Sequence, residues 1–214
     1  MNTRGLRKVT NISCFLLSQA LFAGLVSAQQ PTAVEIHRST KTGLATFVSG
    51  ANGGRIPVAI PAGRATGADP SDFLGQYGSS FGLTSPATQL TQVRSKTDSL
   101  THTQTVYQQV HKRVPVFSGV LNVHQDSTGA FLAANGHYYP IPEKLNATPT
   151  ISSAVAITHA QAQLVSANPV IEKAELVVVD PGWYGDPSIG PHLAYHVVLV
   201  DGKVAWWRQA LLAR

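Results

Sequence analysis

The sequence predicts an α+β fold of two small domains, in each of which a curled antiparallel sheet packs on a helix. Short runs rich in β-branched residues alternate with Gly- and Asn-containing turns, which is typical of antiparallel strands. Helix-capping residues occur at Asp69-Pro70 and again within residues 149–153. One helix over each curled antiparallel sheet is an α+β arrangement.

Residues 1–28 have the three parts of a secretory signal peptide. A basic segment at residues 4–8 precedes an apolar stretch at residues 12–26, and small residues precede Ala28. A membrane-spanning helix needs about 20 apolar residues, more than this stretch provides. The pattern therefore favours cleavage near Ala28-Gln29 over a stable membrane anchor, and we expect a secreted or periplasmic protein.

The charge balance argues against a nucleic-acid partner. The chain has 16 basic and 11 acidic residues, and three of the basic residues but none of the acidic ones lie in residues 1–28. The remainder has no basic cluster denser than Lys112-Arg113, which gives nucleic-acid binding little electrostatic support. The only cysteine, Cys14, lies in the predicted signal, so we expect no disulfide or thiol site after cleavage.

Residues 29–68 predict an N-terminal β segment with short strands at 34–37, 45–48 and 56–60. Asp69-Pro70 then starts a helix that ends at Gly82. The helix carries aromatic residues four positions apart, which places them on one face; they are Phe73, Tyr77 and Phe81. Such a stripe could form a ligand site, but core packing is the commoner explanation and the one adopted.

Residues 89–142 predict an antiparallel sheet. Its strands are expected at 90–95, 101–110, 119–124 and 129–134, with Val114-Pro115-Val116 before a strand. One turn is predicted at residues 126–129 and another at Asn135-Gly136, the strongest two-residue hairpin signal. Residues 143–148 predict a polar linker.

Residues 149–214 predict a second unit of helix and sheet. An Ala-rich helix is expected over residues 154–167, with Ile157, Ala160 and Leu164 on one face. Strands are expected at 174–179, 193–200 and 204–210, with Asp201-Gly202 as a hairpin turn. The intervening loop, residues 180–191, carries Trp183 and Tyr184.

No pattern in the sequence predicts a catalytic, cofactor-binding or metal-binding residue. His-Glu-x-x-His, Gly-x-Ser-x-Gly and Ser-x-x-Lys are absent from the 214 residues, as is a glycine-rich phosphate loop. His192 and His196 stand four apart on a predicted strand with no acid between them, and the other six histidines suggest surface or hydrogen-bonded core residues. The residues alone predict a non-enzymatic binding or chaperoning module.

A motif in the first predicted sheet resembles a known family. Residues 104–124 read Gln-Thr-Val-Tyr-Gln-Gln-Val-His-Lys-Arg-Val-Pro-Val-Phe-Ser-Gly-Val-Leu-Asn-Val-His. This resembles the fungalysin/thermolysin propeptide (FTP) domain, in which a Tyr-Gln-Gln strand leads into Val-Pro-Val-Phe and then a Val-His strand. The family usually has a glycine before Val-Pro-Val, where this sequence has Lys112-Arg113.

The surrounding segments resemble other parts of the same proregions. Residues 42–57 resemble the N-terminal segment, residues 72–83 the first helix, and residues 149–210 the PepSY domain that follows FTP. The resemblance implies an N-terminal β segment at 29–68, an FTP-like domain at 69–148 and a PepSY-like domain at 149–214.

The resemblance implies a proregion that is not itself catalytic. The zinc ligands and general base of the family lie in the protease domain that follows, so none is carried over to this sequence. The implied function is folding assistance and inhibition of a thermolysin-like zinc metalloprotease catalytic domain, in cis or in trans. A longer gene product containing that domain would be a zinc metalloendopeptidase.

The resemblance also implies where the protease is contacted. In the similar proenzymes the junction lies close to the protease cleft, which predicts contacts from the C-terminal residues Arg208, Gln209, Ala210, Leu211, Leu212, Ala213 and Arg214. The alternative is a stand-alone secreted or periplasmic binding module with a non-protease partner. Trp183-Tyr184 and Trp206-Trp207 favour it, because such residues are enriched at binding hot spots.

Overall fold

The computed structural model describes residues 34–63, 68–163 and 169–200. The predicted signal peptide, the strand at 204–210 and the Asp201-Gly202 turn lie outside the described residues. So do all the predicted protease-contacting residues, Arg208, Gln209, Ala210, Leu211, Leu212, Ala213 and Arg214.

Eight strands and three α-helices make up the described part of the chain. In chain order they are β1 (Val34–Arg38), β2 (Ala45–Gly50), α1 (Pro70–Phe81), α2 (Pro86–Gln89), β3 (Leu90–Thr97), β4 (Thr103–His111), β5 (Val114–Gln125), β6 (Phe131–His137), α3 (Ser153–Ala162), β7 (Val170–Val179) and β8 (His192–Val200). Short 3₁₀ turns follow β2 and β7.

The strands form two antiparallel groups, as the α+β prediction requires. Six of them lie in the order β1-β2-β6-β5-β4-β3, and β7 pairs with β8 along its whole length. β7 also meets β5 in parallel at Val178 and Val116. The α+β prediction is confirmed.

Local capping fixes both ends of α1, as predicted. The Asp69 carboxylate accepts from the Ser71 N–H at 2.8 Å, and the Asp72 carboxylate accepts from the Asp69 N–H at 2.9 Å, which is a capping box. The helix ends at Gly82, whose φ of 97° is the left-handed conformation that glycine adopts without strain.

The aromatic stripe of α1 forms the core of the first sheet. Phe73 and Phe81 are fully buried, and the ring of Phe73 lies 5.5 Å from that of Phe131 in β6. Tyr77 packs against the same cluster and donates from its hydroxyl to the Pro57 carbonyl at 2.7 Å. The stripe is a packing feature, as predicted.

α3 packs on the β7–β8 pair. The Ser152 hydroxyl caps the helix by accepting from the Val155 N–H, and Ala156 and Ala160 are buried against residues of β8. Small side chains allow the helix to approach the sheet closely. The expected helix over 154–167 is thus found at Ser153–Ala162, and residues 164–168 lie outside the described part.

The predicted strand at 56–60 is wrong. Ile56 alone pairs, in an isolated bridge in which its N–H donates to the Phe131 carbonyl at 2.8 Å. Pro57 follows and has no N–H, so it cannot continue a ladder.

The predicted turn at Asn135-Gly136 is also wrong, because both residues lie inside β6. Gly136 has φ 145° and pairs with Leu121, and a Cβ built on it would lie 1.9 Å from the Val120 carbonyl oxygen. Its glycine therefore permits close backbone approach rather than a turn. Pro115, expected before a strand, is the second residue of β5 and pairs with Val110.

Candidate interaction surface

α1 packs on one face of the six-stranded sheet, whereas most side chains on the opposite face are half-buried or exposed. Along β5 the side chains alternate between the two faces, so Leu121 and Val123 are buried while Asn122 and His124 are half-buried.

Cross-strand pairing aligns two rows of side chains on the uncovered face, each crossing all six strands. The first row consists of Glu35, Ser49, Ala133, His124, Gln104 and Lys96, and the second of His37, Phe47, Asn135, Asn122, Val106 and Arg94. We call these twelve residues the open face. Only Val106 among them is buried; the others are half-buried or exposed.

Hydrogen bonds order the centre of the open face. His124 Nε2 lies 2.9 Å from Asn135 Oδ1, and the Asn122 amide donates to the Asn135 carbonyl at 3.5 Å. Towards β1, the rings of His37 and Phe47 meet edge to face with centroids 5.8 Å apart. The result is a prearranged polar surface with one exposed hydrophobic ring, that of Phe47.

The charges on the open face are separated across the sheet. Arg94 and Lys96 are exposed on the edge strand β3. The one carboxylate, Glu35, lies on the opposite edge strand β1, where it accepts from the Asn52 N–H at 3.1 Å. The β3 side is therefore cationic and complementary to an acidic surface.

The motif that carries the family resemblance stabilises this sheet from within. Tyr107 is buried in the core, where burial and the nearby charge of Asp69 raise its pKa to about 12. The Gln108 amide donates to the Val116 and Gly119 carbonyls at 2.7 and 3.0 Å, which holds the irregular start of β5.

Gln109 is the last residue of the motif, and its buried side chain binds the backbone of Tyr139. Its amide donates to the Tyr139 carbonyl at 2.6 Å, and its side-chain oxygen accepts from the Tyr139 N–H at 2.9 Å. These bonds satisfy both backbone groups of Tyr139, which follows β6. The Tyr-Gln-Gln residues thus act as structural residues, a role that the sequence pattern did not reveal.

A cleft of 690 Å³ lies beside the β4–β5 hairpin and is lined in part by Gln89, Gln109 and His111. Several of its polar groups bond to the protein itself. Gln89 donates to the Tyr138 hydroxyl at 2.7 Å, and His111 Nε2 and Lys112 Nζ each lie 3.0 Å from the Leu145 carbonyl oxygen.

The loop after β7 is packed against the sheet. Trp183 stacks on Tyr139, and the Tyr184 hydroxyl donates to the Phe117 carbonyl at 2.9 Å. Burial raises the pKa of Tyr184 to about 12. Trp183 is half-buried in this contact, whereas Tyr184 is 46% exposed, and Trp206-Trp207 lies outside the described residues.

No group of three His, Asp or Glu residues in the described ranges could hold a metal ion. His192 and His196 occupy β8, where His192 Nδ1 lies 2.9 Å from the Gly190 carbonyl oxygen. Within residues 34–63, 68–163 and 169–200, no helix is long and apolar enough to cross a membrane.

Comparison with known proteins identifies one family motif. Residues 88–138 match the family model described as the Fungalysin/Thermolysin Propeptide Motif, a range that extends from α2 to just past β6. The match supports a propeptide-like role connected with a protease of that family. No curated protein matches the chain.

Among solved structures, the C-terminal domain of Bacillus megaterium YpeB is similar at 11% identity and a TM-score of 0.34, over 79% of this chain and 68% of that one. A likeness this weak carries no argument about function. The PepSY-like assignment of residues 149–214 and the domain boundaries stay predictions.

Proposed function

We propose that this protein is a non-catalytic, propeptide-like chaperone and inhibitor of a thermolysin-like secreted zinc metalloprotease. The observation that carries the proposal is the FTP motif match over residues 88–138. The matched segment contains β3, β4, β5 and β6, which supply six of the ten residue pairs that align the open face. The partner is the catalytic domain, joined in cis or acting in trans.

The physical basis for chaperoning is selective binding to the native protease. A ligand that binds the folded but not the unfolded state stabilises the folded state by about 2.7 kcal/mol at a concentration 100 times its Kd. A preformed sheet surface suits this function, because little of it must be ordered on binding.

The proposal includes a second contact at the C-terminal end. Residues 149–214 form the PepSY-like domain, and Arg208 to Arg214 enter or border the protease cleft. Replacing residues 209–214 by Gly and Ser should abolish inhibition and leave the melting temperature unchanged. We further propose that the protein acts after export and cleavage near Ala28-Gln29.

The proposal is tested by titrating residues 29–214 against a panel of thermolysin-like zinc proteases, with a serine protease as the control. We expect inhibition of at least one zinc protease with a Ki below about 1 µM, while the chain stays intact and the serine protease stays active. Absence of inhibition at about 50 µM across the panel contradicts the proposal. Capture of only non-proteases from an envelope extract would instead favour a stand-alone binding module.

A further inference from the structure

We propose that the open face docks on an acidic surface of the partner protein, with Arg94 and Lys96 opposite partner carboxylates. This inference rests on the proposed function and adds to it the surface and the chemistry of recognition. It places a main contact on the FTP-like sheet, far along the chain from the C-terminal residues 208–214.

The composition of the open face suits a protein interface. Phe47 is 37% exposed and provides an apolar contact, while amide and imidazole side chains lie beside it. Non-obligate protein interfaces combine apolar contacts of this kind with polar groups in similar proportion. The hydrogen bond between His124 and Asn135 holds the centre of the face in one arrangement.

The charges on the open face determine which kind of partner can bind there. The face carries two guanidinium or ammonium cations against one carboxylate, and the carboxylate of Glu35 already accepts a backbone N–H. The chain's own undescribed ends are poor occupants, because residues 1–28 contain no acid and residues 201–214 contain three basic residues against Asp201. A second copy would bring two net positive faces together. A partner rich in Asp and Glu remains.

The outer edge of β3 is a less suitable site than the face. The strand carries charged side chains and a register shift between Gln92 and Arg94, features with which proteins protect edge strands from pairing. Two cations are also too few for strong binding to a nucleic acid. The geometry therefore favours docking through the side chains of the open face.

The test compares two double variants with equal changes in charge. R94E/K96E reverses the cationic side of the open face, and R113E/K144E reverses two exposed cations elsewhere. We expect R94E/K96E to raise the Ki for a protease inhibited by the wild type about 100-fold, and R113E/K144E to change it less than about 3-fold. Melting temperatures within about 2 °C of the wild type would establish that all three chains are folded.

The outcomes separate this inference from the proposed function. If the wild type inhibits a protease and R94E/K96E inhibits it equally well, the open face is not the docking surface. The proposed function is then still supported by the inhibition. If the wild type inhibits none of the panel, the function itself fails, and the inference with it. Tighter binding of the wild type to a 20-nucleotide DNA than to the protease, or a dimer abolished by R94E/K96E, would also overturn the inference.

Discussion

The indole ring of Trp183 lies flat against the phenol ring of Tyr139, with centroids 4.1 Å apart and ring planes 14° apart. Tyr139 follows β6 of the first sheet, whereas Trp183 lies in the 3₁₀ turn that follows β7. Next to this contact, Lys41 Nζ donates to the Gly182 carbonyl at 2.6 Å. The stack therefore attaches the loop at residues 180–191 to the sheet.

Removal of this stack should destabilise the protein. We expect Trp183→Ala to lower the free energy of unfolding by about 2–4 kcal/mol, because it removes the ring contact and leaves a gap against Tyr139. Trp183→Phe should retain at least half of that stability. Urea unfolding measures both, and a loss below about 1 kcal/mol for Trp183→Ala would show that the stack contributes little.

The two-residue turn between β4 and β5 has a conformation that favours glycine. Lys112 has φ 48° and Arg113 has φ 74°, as a type I′ hairpin requires, although neither residue is glycine. This explains physically why the similar family usually has glycine before Val-Pro-Val. We expect Arg113→Gly to raise the free energy of unfolding by about 1 kcal/mol in thermal or urea unfolding.

Arg94→Gly is the matched control for the turn. Arg94 lies in β3, where glycine gains nothing from a positive φ, so this variant should lose stability. If Arg113→Gly loses as much stability as Arg94→Gly, that result would contradict the left-handed conformation assigned to Arg113.

Gly136 should be difficult to replace, because the atoms that surround it belong to the backbone of a neighbouring strand. An alanine Cβ there would lie 1.9 Å from the Val120 carbonyl oxygen, whereas a Cβ on Gly129 meets nothing within 4 Å. Both glycines have positive φ, so Gly129→Ala provides the matched control. We expect a loss of about 3 kcal/mol for Gly136→Ala and about 1 kcal/mol for Gly129→Ala in chemical unfolding. Equal losses would argue against the close approach.

His196 should make the stability depend on pH. Its ring meets Phe117 edge to face at 5.0 Å, and burial together with the charge of Lys173 lowers its pKa from 6.5, although the charge of Glu175 opposes this. Since the unfolded chain binds the proton more readily, the contribution of neutral His196 is complete above pH 6.5 and declines as the pH falls below it.

The pH dependence is measured by urea unfolding at about pH 7.5 and pH 5. We expect His196→Gln to lose less stability over this interval than the wild type. His102→Gln, at the exposed turn between β3 and β4, should retain the wild-type loss. An unchanged loss in His196→Gln would contradict the assignment.

The features predicted correctly from the sequence depend on near neighbours along the chain. The capping box of α1 needs only Asp69 and Asp72, and the turn at residues 126–129 is held by Asp126, whose carboxylate accepts from the Thr128 N–H at 2.8 Å. The wrong prediction of a turn at Asn135-Gly136 depended on distant residues. Gly136 resembles a turn glycine until the backbone of Val120 is placed beside it.

The open face depends on contacts even further apart in the sequence. Alternation along β5 predicts two unlike faces, but only the pairing of six strands brings Lys96 into line with His124 and Glu35. Likewise, the motif at residues 104–124 indicates a family, whereas the clamp that Gln109 forms on Tyr139 joins residues 30 positions apart. Neither feature follows from local propensity.

The central claim is that the chain binds a native thermolysin-like catalytic domain. The most direct measurement is calorimetric titration of residues 29–214 into such a domain, native and urea-unfolded, with a serine protease of similar size as the control. We expect 1:1 binding to the native domain with a Kd below about 1 µM, and no binding to the unfolded domain or the serine protease. No binding to the native domain at about 50 µM, or equal affinity for the serine protease, would contradict it.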